Sequence, residues 1–512
     1  ANYKTSKSVL AGLDQEMPGI EGSFTLKTMS KFYEDPMERA AYKKAVDIAT
    51  QRILATIYRM RLDESADTSC DPPRCISERL SDQRSPQHRE RAAEAATKSV
   101  VLLQNDGILP FNRSVVKKLA VVGMAANAPI VDPFYYAYMG GGSGTVFPGS
   151  VVTPLQGITK RAAKEGIEVI SAVTFDIPQV LQVALEADVV IVVDAVSSTE
   201  GLDRDSEVAP RHLANNLQTL AGAELYRTLH EARRRVVVLL QTPGAVLMPW
   251  RRSVNAALNL FLAGEETGTA WANILFGDVS PEGKLPIMFP DTAEDAIKPN
   301  PAPSFAYEEG LFTSYRNPLA KAAFPFGHGL SYTSFGYGSP ELKAGCSAKI
   351  CVGLRVSNTG SRKGREVAQV YFQFPTMSKV PSKLLRGFKK TALLAPGESE
   401  ELTFAFSERD LSTFTDGAWS AWDGIVARFG ASSMDLRQEL VLDGKKVAAA
   451  LAAEAAKPAE TELAESEKQA DKTDAEAAKP AETEVAEPEK QVGKKGAEKK
   501  TRLRKARIAK HS

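Results

Sequence analysis

Residues 189–204 read Val-Val-Ile-Val-Val-Asp-Ala-Val-Ser-Ser-Thr-Glu-Gly-Leu-Asp-Arg. Five consecutive aliphatic residues with no alternation describe a strand covered on both faces, the pattern of a parallel sheet inside an α/β domain. The run ends in Asp194 and gives way to a Ser/Thr/Gly-rich stretch carrying Glu200. In parallel sheets, ligand-facing groups gather beyond the C-terminal ends of strands, so Glu200 stands where a working carboxyl would be placed. An ordinary surface glutamate on a loop would have the same neighbours in sequence, and position alone does not separate the two readings.

Similar runs flank this stretch. Apolar segments recur at 119–122, 167–170, 236–240 and 258–262, and a helix near 90–98 leads into Ser99-Val-Val-Leu-Leu103. Helical patterns at 178–187, 215–232 and 267–276 lie between several of them. Short apolar strands alternating with helices predict an α/β sandwich domain over residues 88–295, built on a mainly parallel sheet. A connector, 296–339, follows. Beyond it, short strand-like runs at 352–357, 367–373, 402–406 and 426–429 are separated by turns such as Asn358-Thr-Gly360 and Pro396-Gly397. They predict a small antiparallel β-sandwich over 340–445.

The two ends differ from this middle. Residues 1–62 carry a turn at Met17-Pro-Gly19 and a helical stretch near 36–62, with Ala45, Ile48, Ile53, Leu54 and Ile57 at helical spacing. Residues 63–87 are polar and read as an exposed linker. In 446–512, Glu454-Ala-Ala-Lys-Pro458 recurs as Glu476-Ala-Ala-Lys-Pro480 in an Ala/Glu/Lys/Pro background. Such a composition buries too little to offset its ordering entropy, so a disordered C-terminal tail is expected. Its basic end, 494–510, fits a solvated tail, a nuclear address or an anionic-surface contact.

Global composition excludes several classes. With 512 residues, 43% hydrophobic and 25% charged, the chain has room for two or three ordinary globular domains. A formal net charge of +1 favours neither nucleic acid nor a membrane surface as partner. No segment reaches the roughly 18 apolar residues of a membrane helix. The chain opens with Ala1 and shows no charged-then-apolar leader, so it reads as a fragment or a processed chain. Cys70/Cys75 and Cys346/Cys351 are two C-x4-C pairs, open to local disulfides or reduced thiols. Their spacing lacks the tighter zinc-finger pattern, and no metal site is expected.

Several motifs in fixed order resemble glycoside hydrolase family 3, of the β-glucosidase type. They are Ala11-Gly-Leu-Asp-Gln-Glu-Met-Pro18, Lys98-Ser-Val-Val-Leu-Leu-Gln-Asn-Asp106 ending in Leu109-Pro110, and Leu119-Ala-Val-Val-Gly123. Then come Gly140-Gly-Gly-Ser-Gly144 with Thr153-Pro-Leu-Gln-Gly-Ile158, and Thr199-Glu-Gly-Leu-Asp-Arg204. Leu275-Phe-Gly-Asp-Val-Ser-Pro-Glu-Gly-Lys-Leu-Pro286, Phe324-Pro-Phe-Gly-His-Gly-Leu-Ser-Tyr332, Val356-Ser-Asn-Thr-Gly360 and Gly364-Arg-Glu-Val-Ala-Gln-Val-Tyr371 complete the series. The resemblance covers about residues 1–440. It implies a remnant of an N-terminal barrel in 1–62, an α/β sandwich, and a fibronectin-type-III-like domain. It also implies retaining exo-hydrolysis of β-linked glucosides, no metal or organic cofactor, and a secreted or endolysosomal setting.

Carried onto these residues, the resemblance makes Glu200 the acid/base and Gly141, Gly142, Ser143, Gly144 and Arg204 substrate-binding. The chemistry agrees: a retaining hydrolase needs a carboxylate that attacks and a second carboxyl that begins protonated. Asp203 and Arg204 form a possible structural pair on the same loop, and Arg204 is equally suited to sugar hydroxyls. The glycine loop permits close backbone approach. It has no Gly-Lys-Ser/Thr to cradle phosphate, nor a nucleophile elbow around Ser143. Asp132, Phe134, Tyr135, Tyr136 and Tyr138 precede it, suited either to sugar stacking or to core packing.

One departure matters. The family's Ser-Asp-Trp motif, which bears the nucleophile, would fall before residue 1, and Asp14 and Glu16 match flanking positions only. The expectation is that this chain alone hydrolyses little or nothing. Competing readings are a β-xylosidase, a β-N-acetylglucosaminidase, which the long second domain disfavours, and a non-catalytic carbohydrate-binding or scaffold protein.

Overall fold

A computed structural model describes residues 5–16, 24–34, 36–64, 82–128, 137–142, 145–146, 149–196, 198, 200, 217–297, 304–344, 348–415 and 417–444. The chain divides into two compact units, Ala1–Glu90 and Arg91–Ser512. The repeat-bearing tail, the turn at Met17 and most of the polar linker lie outside the described residues. Among the described residues no helix is long and apolar enough to cross a membrane.

The first unit holds α1 (Thr5–Leu10), α2 (Leu26–Glu34) and α3 (Arg39–Arg59). The helix expected near 36–62 is thus shorter at both ends, residues 36–38 forming a turn. Its core residue is Tyr42, fully buried and edge-on to Tyr33 at 5.3 Å. Ile48, Ile53 and Leu54, read at helical spacing, are 36–41% exposed. Helical spacing identified the stripe but not whether anything covers it. Helix α4 (Pro86–Ser99) crosses into the second unit.

The second unit opens with β1 (Val101–Asn105), β2 (Lys118–Val122), α5 (Pro154–Lys164), β3 (Glu168–Ala172), α6 (Ile177–Glu186) and β4 (Val189–Ala195). It continues with α7 (Gly222–Glu231), β5 (Val236–Gln241), β6 (Ala256–Asn259) and α8 (Thr267–Leu275). The six strands form one sheet ordered β1-β6-β5-β4-β2-β3. It is mainly parallel, as expected, with Leu119 opposite Val189 and Val190 opposite Val236. Strand β1 runs antiparallel along β6, Leu102 facing Leu258.

Alternation along β4 divides its side chains between two layers. Ile191 and Val193 pack with Ile158 of α5 and Trp271 and Ile274 of α8. Val190 and Val192 pack with Val180 of α6 and Leu225, Tyr226 and Leu229 of α7. Every residue of β4 is buried, which explains its unbroken apolar run. Thr153 starts α5 through a capping box with Gln156, with Pro154 just inside the helix. Helices α5 and α8 touch backbone to backbone: a Cβ on Gly157 would lie 2.1 Å from the Gly268 carbonyl oxygen.

Two elements differ from the sequence reading. The run at 258–262 remains a strand only to Asn259, because Phe261 adopts φ +58° and turns the chain. The helix expected over 215–232 begins at Gly222, itself at φ +66°.

After the paired β7 (Phe289–Pro290) and β8 (Ala322–Phe324), the chain forms β9 (Phe335–Tyr337), β10 (Glu341–Lys343), β11 (Ile350–Asn358), β12 (Val367–Gln373), β13 (Leu384–Lys390) and β14 (Ser399–Phe406). A hairpin, β15 (Ser412–Thr415) with β16 (Ala418–Ala421), precedes β17 (Ile425–Gly430) and β18 (Leu436–Leu442). One antiparallel sheet is β10-β11-β14, with β9 also paired to β11; the other is β13-β12-β17-β18. Val352, Leu354, Phe372, Phe404, Phe406 and Phe429 fill the space between them. Cys351 on β11 is disulfide-bonded, which decides between the two readings of that cysteine; Cys70, Cys75 and Cys346 lie outside the described residues.

The sandwich is fastened to the α/β domain by charge. Lys284 meets Glu366 at 2.8 Å with side chains 14% and 7% exposed. Glu282 accepts from Lys390 at 2.9 Å. Gln369 of β12 donates to the Gly327 carbonyl at 3.0 Å.

Candidate active site

Glu200 lies in a turn just beyond β4, with its side chain exposed. The glycine loop comes directly against it. Gly142 holds φ +94°, and a Cβ there would lie 2.3 Å from Glu200 Cβ, 2.9 Å from its Oε2 and 3.1 Å from its backbone nitrogen. No side chain fits between the two segments, so glycine is required both by conformation and by space. Thr145 closes the loop, its N–H donating to the Gly142 carbonyl at 3.1 Å and its hydroxyl to the Gly140 carbonyl at 3.0 Å.

The structure therefore brings two segments together that lie about sixty residues apart in sequence. Gly142 makes that meeting, with Gly141 next to it in the loop. Ser143, Gly144 and Arg204, together with Asp203, lie outside the described residues, as do Asp132, Phe134, Tyr135 and Tyr136. Tyr138 resolves to core packing: it is 2% exposed, its hydroxyl donating to Ala125 at 2.9 Å and accepting from the Ala128 N–H at 2.8 Å. Burial pushes that phenol up to about 12. Its carbonyl accepts from the Gly264 N–H at 2.8 Å, anchoring the start of the glycine loop to the chain leaving β6.

Asp194 is the group that sequence reading passed over. It is fully buried near the end of β4. Its carboxyl accepts from Tyr226 Oη at 2.6 Å, Ala195 N–H at 2.9 Å and Ala221 N–H at 3.0 Å. Burial raises its pKa, against hydrogen bonds from Thr219, Tyr226, Ala221 and Ala195 that lower it. The signal was in the sequence: a lone acid ending a wholly apolar run needs donors waiting for it.

Other polar groups line the same edge of the sheet. Thr242 donates to Asn259 at 3.1 Å, and Gln241 is fully buried. Among the described residues no group of three His, Cys, Asp or Glu is arranged to hold a metal ion. What the geometry offers is an accessible carboxyl at the C-terminal edge of a parallel sheet, with loop backbone packed on one side of it.

Comparisons with known proteins agree with this architecture. Residues 100–332 match the glycosyl hydrolase family 3 C-terminal domain, and residues 366–429 the fibronectin type III-like domain. Probable beta-glucosidase L of Aspergillus fumigatus is 31% identical over 490 residues, covering 86% of this chain and 64% of the relative. A beta-xylosidase of Formosa agariphila is 31% identical over 398 residues, covering 73% of this chain and 52% of the relative. The crystal structure of beta-D-glucoside glucohydrolase from Trichoderma reesei superimposes with TM-score 0.73 at 27% identity, covering 86% of this chain and 66% of that one. The chain thus spans slightly under two thirds of the length of the β-glucosidases it matches. Residues 100–332 are the C-terminal domain of glycosyl hydrolase family 3, and residues 366–429 are a fibronectin type III-like domain.

Proposed function

We propose that this chain is the acid/base-bearing part of a β-glucosidase that hydrolyses β-linked glucosides with retention. Glu200 hands its proton to the departing glycosidic oxygen as a carboxylate attacks the anomeric carbon. It then takes a proton from the water that releases the sugar. Gly141, Gly142, Ser143 and Gly144 supply the loop beside the sugar, and Arg204 contacts its hydroxyls. The observation that carries this reading is the contact between Gly142 and Glu200, which holds one carboxyl against a glycine loop at the ligand-binding edge of the sheet. The names of the relatives favour a glucoside over other β-glycosides.

The Ser-Asp-Trp triplet of the family's nucleophile is not among the 512 residues. The chain alone is therefore expected to turn over an aryl β-glucoside barely or not at all. In an active form that includes such a segment, Glu200→Gln should lower turnover of poor leaving groups about 10²- to 10⁴-fold. A leaving group that needs no proton should be nearly unaffected. Equal losses on all leaving groups would remove Glu200 from the acid role; robust turnover by the 512-residue chain that survives Glu200→Gln would overturn the reading. Preference for β-xylosides would select the xylosidase alternative, and binding without turnover in that active form the scaffold one.

A further inference from the structure

The α/β domain and the β-sandwich enclose a cavity of about 670 Å³ beside edge strand β1. It lies three strands away from β4, which delivers Glu200. Its volume is that of a small-molecule site, and domain junctions are where such sites commonly form. We propose that this cavity binds a neutral polyhydroxylated ligand, a monosaccharide or a sugar alcohol, independently of the Glu200 site.

The charges in the wall argue for neutrality. Among the described lining residues, Lys284, Arg365 and Arg437 are matched by Glu282, Glu366 and Asp435. Each cation has its anion: Lys284 with Glu366 at 2.8 Å, Arg437 with Asp435 at 2.6 Å, Arg365 with Glu282 at 3.6 Å. An anionic or cationic ligand would have to break one of these half-buried pairs and strand the remaining partner, a heavy cost at low dielectric. A purely apolar ligand would leave the same groups without water. Hydroxyl groups, which both donate and accept, suit walls that offer both.

The uncharged wall groups agree. His328 donates from Nε2 to the Leu103 carbonyl at 2.7 Å, which fixes the tautomer and leaves Nδ1 as an acceptor. Ser334 and Met434, both exposed, form part of its rim. The half-buried ring of Phe335 adds the flat apolar surface on which sugar faces pack.

The test is calorimetric titration of the 512-residue chain with D-glucose, D-xylose and glycerol, beside inorganic phosphate and spermidine. Saturable binding of at least one of the three polyols is expected. Ser334→Trp, at the exposed rim, should abolish it. Met434→Trp, at another exposed part of the rim, should weaken it at least about threefold to tenfold without changing the unfolding temperature. Gly142→Trp, which plugs the Glu200 site, should leave it intact, so failure here is distinguishable from failure of the hydrolase reading. If Ser334→Trp does not fold, the Met434→Trp titration alone decides. No polyol binding up to the millimolar range, tighter binding of phosphate or spermidine, or loss in Gly142→Trp with retention in both rim variants would each overturn the proposal.

Discussion

Tyr226 Oη donates to Asp194 Oδ2 at 2.6 Å, joining the strand that precedes Glu200 to α7, the next helix among the described residues. Because the backbone N–H of Ala221 also points at Asp194, one buried carboxyl gathers both flanks of the segment carrying Glu200. Tyr226→Phe should cost about 1–2 kcal/mol, the usual consequence of leaving a buried polar group short of a partner. Asp194→Ala strands several donors and should cost about 3 kcal/mol or more, read by urea unfolding. A loss under about 0.5 kcal/mol for Asp194→Ala would show that the network does not hold the segment.

The pH dependence of the same group has a definite sign. Burial raises the Asp194 pKa, so the folded state holds its proton where the unfolded chain has released it. Its contribution is therefore full below about 3.9 and declines as pH rises through the elevated folded value. Asp194→Asn should flatten that part of the stability profile. An unchanged profile would count against a raised carboxyl.

Gly142 leaves no room for a methyl group beside Glu200. Gly142→Ala should lower kcat/KM of an active form by about 10²-fold through displacement of the carboxyl. Alanine at φ +94° is also strained, so the unfolding temperature should fall modestly, by the equivalent of about 1–2 kcal/mol. Full activity in the alanine variant would mean that the contact has no bearing on catalysis.

Lys284 and Glu366 test the junction. Lys284→Met alone leaves a buried carboxylate unpaired and should destabilise by about 3–5 kcal/mol, whereas adding Glu366→Leu should recover much of the loss. Strict additivity of the two substitutions would show that they do not act as a pair.

His328 gives an acid limb. Burial pushes its imidazole pKa down, ahead of the opposing effect of its bond to Leu103. For a base the unfolded state then binds more protons, so stability falls as pH drops below about 6.5. His328→Gln, able to keep a donor toward Leu103, should remove that slope between about pH 7 and 5.5, measured as thermal midpoints.

Much of the α/β domain was legible because its central strands are unbroken apolar runs, as in 189–193 and 236–240. Strand direction was less so: the sequence does not distinguish β1, antiparallel and at the edge, from its parallel neighbours, since both lie under cover. Boundaries failed where single backbone angles decide them, at Phe261 and Gly222. The carboxyl at Glu200 was visible from its place after β4. Its meeting with Gly142 was not, because the sheet order, not the chain order, makes them neighbours. Asp194 was overlooked for a related reason: its donors come from residues 195, 221 and 226 and converge only after α7 has packed.

Strand β4 also sets where the chain opens. All seven of its residues are buried between paired strands, so their amides should exchange with deuterium only when the whole unit unfolds. Glu200 follows a few positions later at the surface. A solvent-facing carboxyl tethered so closely to amides expected to exchange slowest should hold its place without borrowing motion from its support, and heating should spare its location until the sheet itself is lost.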